Sequence, residues 1–427
     1  MIRAACALVV VLALAGCGTA AGAPPSARLR IGVLATSCTA DRAAAQARAG
    51  LPLAVFDIAW DRYEPQPGVF DAAYAADVRR RVETCANAGV AIVLGPGLQY
   101  PPGWVLDLPA GTYRNEAGEA ADPPVANLVF SRAVREAAAA YLRRLDADVG
   151  LERFAAIRIG TTHTGEFGYP GPGRGGAFWA FDEAAQGGPD LADGSAATPL
   201  PGWRPGTPMA TEQAIAWWRW YADSVVAALG WQVRVLRGLG AGDVDVPIAG
   251  RGVLPTDLAE AVARRFGGSD PDGALGRGLD YPTQFPALGR LAGPAGRVVI
   301  DFTGLDDVSA VRARALDPPQ DSCRLDDVES VRAGIGDVAA WPAQRWTTAV
   351  ARLAGLPLVG ENPGGPDLAH TGGAPDSDGA AAQLQHAPRY ARDCGLTQFY
   401  WAFEETLYRQ DSDVTLIDLQ RRAESTG

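Results

Sequence analysis

One repeated rhythm constrains this chain more than any other feature. A helix-like segment ends in glycine, and an apolar run of strand length follows at once. "ADRAAAQARAG" leads into "LPLAVFDIAW" at 51–60, and "DVRRRVETCANAG" into "VAIVLG" at 90–95. "AAWPAQRWTTAVARLAG" precedes "LPLVGE" at 356–361, and "AQLQHAPRYARDCG" precedes "LTQFYWAF" at 396–403. Glycine just past a helix supplies the left-handed C-cap conformation, which a residue with a Cβ resists. The apolar runs are continuous rather than alternating, as in parallel strands buried on both faces.

Further strands are expected at "RIGVLAT" (30–36), "FAAIRIG" (154–160) and "RVVIDFTG" (297–304). For the fifth strand both "WQVRVLRG" (231–238) and "VDVPIAG" (244–250) qualify. "SRAVREAAAAYLRRLDADVG" and "TEQAIAWWRWYADSVVAALG" read as helices capped by Ser131 and Thr211. The count comes to eight βα units within 30–427, which predicts a single α/β domain. That domain is a (β/α)8 TIM barrel with a long Gly/Pro-rich loop after strand 4. A doubly wound open sheet is the weaker alternative, since no phosphate-binding glycine fingerprint follows the first strand.

The chain opens with Arg3 and an apolar stretch shorter than the ~20 residues of a bilayer span, so 1–16 reads as an export signal. Leu14-Ala15-Gly16-Cys17 resembles a bacterial lipobox, which implies cleavage before Cys17 and lipidation of its thiol. The protein is then expected on the extracytoplasmic face of the cell membrane, with 17–29 as a tether; plain secretion is the alternative. Cys38, Cys85, Cys323 and Cys394 remain, an even set for an oxidising compartment, and two disulfides are expected. Three connectivities are open, and the sequence-local pairs Cys38–Cys85 and Cys323–Cys394 are favoured.

Charge narrows the chemistry. The sequence has 38 Lys+Arg against 49 Asp+Glu, a net charge of −11, and none of its cations is lysine. Schiff-base lysines and Walker-type phosphate loops are therefore excluded, and an acidic exported chain is a poor partner for nucleic acid. No CxxC or HxxxH spacing points to zinc, so neither a metal nor an organic cofactor is expected. Carboxylate chemistry remains.

Barrel enzymes place their sites at the C-terminal ends of the strands. Glu166 in "GTTHTGEFGYPGPG" follows strand 4, and Glu361 in "LPLVGENPGG" ends strand 7. Each follows a glycine and is followed by loop-forming Gly and Pro. A pair of acids facing one another across the mouth suits glycoside hydrolysis, where one carboxyl is protonated and the other ionised. Acids in surface loops are the bland alternative for either residue alone.

The span "FDIAWDRYEPQPGVFD", the "YPPGWV" that ends the third βα unit's strand loop, "NLVFSRAVREAAAAYLRRL" and "GENPGG" together resemble the start of family 42 glycoside hydrolases, the β-galactosidases of clan A. The resemblance implies that Glu166 is the acid/base and Glu361 the nucleophile of a retaining hydrolase acting on an oligo- or polysaccharide. It also marks Trp60, Glu64, Trp104, Asn362 and Trp401 as substrate-binding candidates. His163, three residues before Glu166, is a further one by position, donating to a sugar hydroxyl or tuning that acid, with an ordinary hydrogen-bonding residue as the alternative. Trp401 would be an aromatic platform under the sugar ring or plain core. Trp60 and Glu64 would touch substrate or brace loops. Gly165 stands where the clan carries Asn. "HTGEFGYP" is similar to the β-amylases of family 14, which implies an inverting glucan hydrolase as a second reading. A carbohydrate-binding lipoprotein on a degenerate barrel is the third.

The retaining reading carries an electrostatic expectation: apolar or acidic neighbours should raise Glu166, and hydrogen-bond donors should hold Glu361 ionised. The aromatic residues Phe178, Trp179, Phe181 and Trp203 in 168–210 are expected either to stack on sugars or to pin the loop to the barrel.

Overall fold

The computed structural model describes residues 29–171, 177–268, 270, 273–305, 323–334, 338–362, 379–410 and 412–425. The export signal, Cys17 and nearly all of the tether lie outside the described residues.

The strands are β1 (Arg30–Val33), β2 (Leu53–Asp57), β3 (Ala91–Gly95), β4 (Ala156–Arg158), β5 (Val244–Ile248), β6 (Val298–Phe302), β7 (Leu358–Glu361) and β8 (Gln398–Trp401). All pair in parallel and in sequence order, and β8 closes on β1, giving the expected (β/α)8 barrel. The two candidates for the fifth strand are resolved by helix length. Residues 231–238 complete the helix Thr211–Gly238, whose buried face runs through Leu236, and β5 is the 244–248 segment.

Local chemistry accounts for most helix boundaries. Ser131 accepts a hydrogen bond from the Val134 amide and caps Arg132–Val149. Asp71 does the same for Ala72–Asn87 through the amides of Ala73 and Tyr74. Thr211 is the first helical residue rather than the cap, which falls on Ala210.

Period-two alternation in the strands creates two separate apolar layers. Outward residues such as Ala54, Phe56, Val244 and Val246 join the large core against the helices. Inward residues form a small second cluster of Leu34, Leu53, Val55, Val93, Ala156, Val299, Val359, Tyr400 and Ala402. Two residues further along the same inward faces, apolar gives way to charge: Asp57 after Val55, Arg158 after Ala156, Asp301 after Val299, and Glu361 after Val359. The barrel is thus a dry plug at its base and an ionisable bowl near its mouth.

Both expected disulfides are present, Cys38–Cys85 and Cys323–Cys394. The aromatic residues of the long loop pin it to the barrel. Phe178 and Trp179 are 3% exposed, and Phe178 packs edge-on against Trp217 and Tyr221. Tyr169 stacks on Tyr221 with ring centroids 4.1 Å apart.

Candidate active site

The stretch after β4 folds back on itself. The amides of Thr161 and Thr162 both donate to the Glu166 carbonyl, and the Thr161 hydroxyl donates to the carbonyl of Gly168. Gly160 permits this closure, since a Cβ there would lie 2.0 Å from the Gly165 carbonyl oxygen. Gly165 turns the chain with φ 78°, beside the Gln99 side chain. The Phe167 amide then donates to Pro247 on β5, so the loop leans over the next strand and carries Glu166 toward β6.

Glu166 is met there by three donors. Thr303, just past β6, donates to Oε1 at 2.7 Å; Thr164 donates to Oε2 at 2.9 Å. Arg277 reaches Oε2 at 2.8 Å from the loop before the Tyr281–Gly289 helix. Burial alone would raise this carboxyl, but Arg277 and the hydroxyl donors together hold it below its ordinary value. His163 beside it is lowered, by burial first and by Arg277, against the pull of Glu166.

Glu361 ends β7, opposite Tyr400 of β8, and is 5% exposed. Its Oε1 lies 3.3 Å from Nη2 of Arg158, while Oε2 has no hydrogen-bond partner. Burial pushes it up to about 8; Arg158 opposes this, and the charges of Asp301 and Glu166 add to it. The two glutamates are therefore close enough to feel one another's charge. Their electrostatics run opposite to the sequence expectation: Glu166 is the ionised member and Glu361 the protonated one. The reason is the placement of cations. Among the described residues Arg277 pairs with Glu166, whereas Arg158 is divided among Glu361, Asp301, Asp57 and Asp245.

One guanidinium cannot neutralise four carboxylates in a dry barrel, so several of them retain protons. Burial raises Asp57 and Asp301, and lifts Asp245 to about 8 with a further push from Asp301. Among the described residues no group of three or more His, Cys, Asp or Glu is arranged to hold a metal ion.

The other candidates are mostly scaffold. Trp401 is 1% exposed and its indole donates to Thr406, so in this structure it offers no open ring face to a sugar. Trp60 is fully buried, stacks on Tyr141 and donates to Glu64, whose other oxygen accepts from the Gly68 amide. Both brace the loop after β2. Trp104 packs edge-on against Trp60 and donates to the Glu64 carbonyl. Asn362 ties the ends of β7 and β8 together, bonding Gln383 and both the amide and carbonyl of Ala402. Of the six, His163 lies within reach of Glu166's charge and Asn362 directly follows Glu361, but Asn362 spends its amide on Gln383 and Ala402. Sequence reading passed over Arg158, Asp301, Arg277 and Thr303. A signal existed for the first two: each is a lone charge in an otherwise apolar strand.

No family model matches the chain, and no curated protein matches it. Solved structures share its fold. The catalytic domain of β-amylase from Paenibacillus polymyxa superposes with a TM-score of 0.60 at 15% identity, over 94% of this chain and 99% of that one. A β-galactosidase from the Antarctic haloarchaeon Halorubrum lacusprofundi gives 0.56 at 17% identity, over 93% of this chain and 58% of that one. A β-galactosidase from the psychrophilic Marinomonas ef1 gives 0.58 at 15% identity, over 93% and 59%. The chain thus spans less than two thirds of the length of these two β-galactosidases. At such identities the likeness is one of fold, and it is the fold that the sequence resemblance implies.

Proposed function

We propose that this protein is a glycoside hydrolase whose reaction runs on Glu166 and Glu361. The observation that carries the reading is the meeting of two differently poised carboxyls at the C-terminal mouth of a closed barrel. The fold shared with a β-amylase and with β-galactosidases supports a carbohydrate substrate.

The mechanism we assign is retaining and acts on a β-glycosidic bond. Glu361 attacks the anomeric carbon as the C–O bond to the leaving group breaks, and Glu166 gives its proton to the departing oxygen. Water then gives a proton to Glu166 and its oxygen to the anomeric carbon, freeing Glu361. The surroundings of the two carboxyls favour the reverse protonation. For the assigned step Glu166, paired with Arg277, must gain a proton. Glu361 must lose one.

A second reading is an inverting, β-amylase-like glucan hydrolase. It is favoured by the β-amylase domain, which matches over 99% of its own length. One experiment separates the readings: hydrolysis of an aryl glycoside panel and of malto-oligosaccharides, with the first-formed anomer followed by proton NMR. Retention supports the mechanism above and inversion the second reading. Sugar binding without hydrolysis by any substrate returns the protein to the binding class.

We further propose export and anchoring through a lipid on Cys17. The two disulfides support an oxidising compartment.

A further inference from the structure

We propose that Asp301 is a positioning residue for the reaction assigned above, competing with Glu361 for the Arg158 guanidinium and taking up the proton that Glu361 releases. The inference rests on the hydrolase reading and concerns how the buried Glu361 becomes a nucleophile.

The geometry is a single nitrogen shared between two acids. Nη2 of Arg158 donates to Oε1 of Glu361 at 3.3 Å and forms an ion pair with Oδ2 of Asp301, also at 3.3 Å, without a hydrogen bond. Asp301 is 0% exposed, and neither of its oxygens accepts a hydrogen bond from the described residues. A buried carboxylate with no donor costs several kcal/mol, and one cation offsets that cost for one partner only. One of the two acids therefore binds a proton, and which one depends on where Arg158 directs its charge.

Among the described residues, the ionisable groups that bear on Glu361 and its cation come from several strands. Arg158 comes from β4, Asp301 from β6, Glu166 from the loop after β4, and Tyr400 from β8; Asp245 and Asp57 draw on Arg158 from β5 and β2. Tyr400 donates to Gln398 and is raised well above its ordinary range by burial, so it stays neutral. Arg158 keeps its proton at any working pH. Asp301 is the acid that shares Arg158's nitrogen with Glu361. As positive charge develops at the anomeric carbon, the Glu361 O–H bond breaks and an Asp301 O–H bond forms. Arg158, which already donates to Glu361, then faces one ionised acid rather than sharing its nitrogen, and net charge is unchanged.

Asp301→Asn tests this, because the amide keeps the shape and cannot take the proton. Arg158 would then serve Glu361 alone, and Glu361 would be ionised at rest. The acidic limb of kcat/KM should move to lower pH by about one unit, a tenfold gain at a fixed acid pH, and Asp301→Glu should restore the original limb. A merely structural role would lower activity at all pH values alike. An activity-independent readout is the infrared C=O stretch of protonated carboxyl at neutral pH. The part of that band lost in Glu361→Gln should also vanish in Asp301→Asn. A folded Asp301→Asn protein with both limb and band unmoved overturns the inference. If no glycoside is hydrolysed the hydrolase reading fails by itself, while the infrared band still decides whether Asp301 and Glu361 are coupled.

Discussion

Asp57 at the end of β2 stands directly beside Gly95 at the end of β3, and the absent side chain of Gly95 makes room for its carboxyl. A Cβ at Gly95 would lie 1.8 Å from Asp57 Oδ1. The glycine thus admits an acid into the inward ring around Arg158.

Gly95→Ala is accordingly expected to push Asp57 out of the ring. Overpacking of this kind costs about 1–3 kcal/mol, read as a fall in Tm. Loss of kcat/KM should accompany it, because Arg158 would redistribute its charge among the remaining acids.

Glu166→Gln should slow hydrolysis of substrates with poor leaving groups by about 10²–10⁴-fold. Activated aryl glycosides should suffer far less, since their leaving group needs no proton. Glu361→Gln should abolish turnover of both classes. Steady-state kinetics on a matched pair of substrates distinguishes the two roles, and equal losses on both substrates in Glu166→Gln would remove it as the acid.

Stability should fall as pH rises from acid to mildly alkaline. Asp245 has a folded pKa raised from 3.8 to about 8 by burial, with Asp301 adding to it, so the folded state keeps a proton that the unfolded chain releases. Its contribution is complete below the unfolded value and is lost as pH climbs through the folded one. Glu166 works in the opposite sense: its folded pKa lies below 4.5, so its contribution holds above that value and is lost as pH falls through the folded one. Thermal melts should therefore show a Tm lower at pH 8 than at pH 5, by on the order of a few °C. Asp245→Asn should flatten that slope.

Mass spectrometry of the native, unreduced protein should find no free thiol among Cys38, Cys85, Cys323 and Cys394. The bridges close separations of 47 and 71 residues, each worth about 4 kcal/mol in the chain-entropy account. A clear drop in Tm on reduction is the expected outcome.

A lipid on Cys17 predicts partition of the wild-type protein into detergent from membrane fractions. Cys17→Ser should shift it to the aqueous phase, and identical partition of the two proteins would exclude the anchor.

The barrel was legible in the sequence because its strands are apolar on both faces and its helices end in glycine. Gly50, Gly89, Gly355 and Gly395 all take positive φ, as the rhythm requires. The fifth strand was ambiguous because "WQVRVLRG" is apolar enough for a strand, and only the length of the helix from Thr211 absorbs it. Glu166 and Glu361 could be placed at strand ends by counting. Their relative protonation could not, because it depends on Arg277, which comes from a loop 111 residues from Glu166 in sequence. The burial of Trp401 was equally illegible, because an apolar strand end and a sugar platform are written with the same letters.

Arg158 also gives the barrel a one-sided response to its surroundings. A chain without lysine answers alkali inside this bowl only by shedding carboxyl protons, because its guanidinium does not titrate. Its interior therefore becomes steadily more anionic as the medium turns alkaline, with no compensating loss of positive charge.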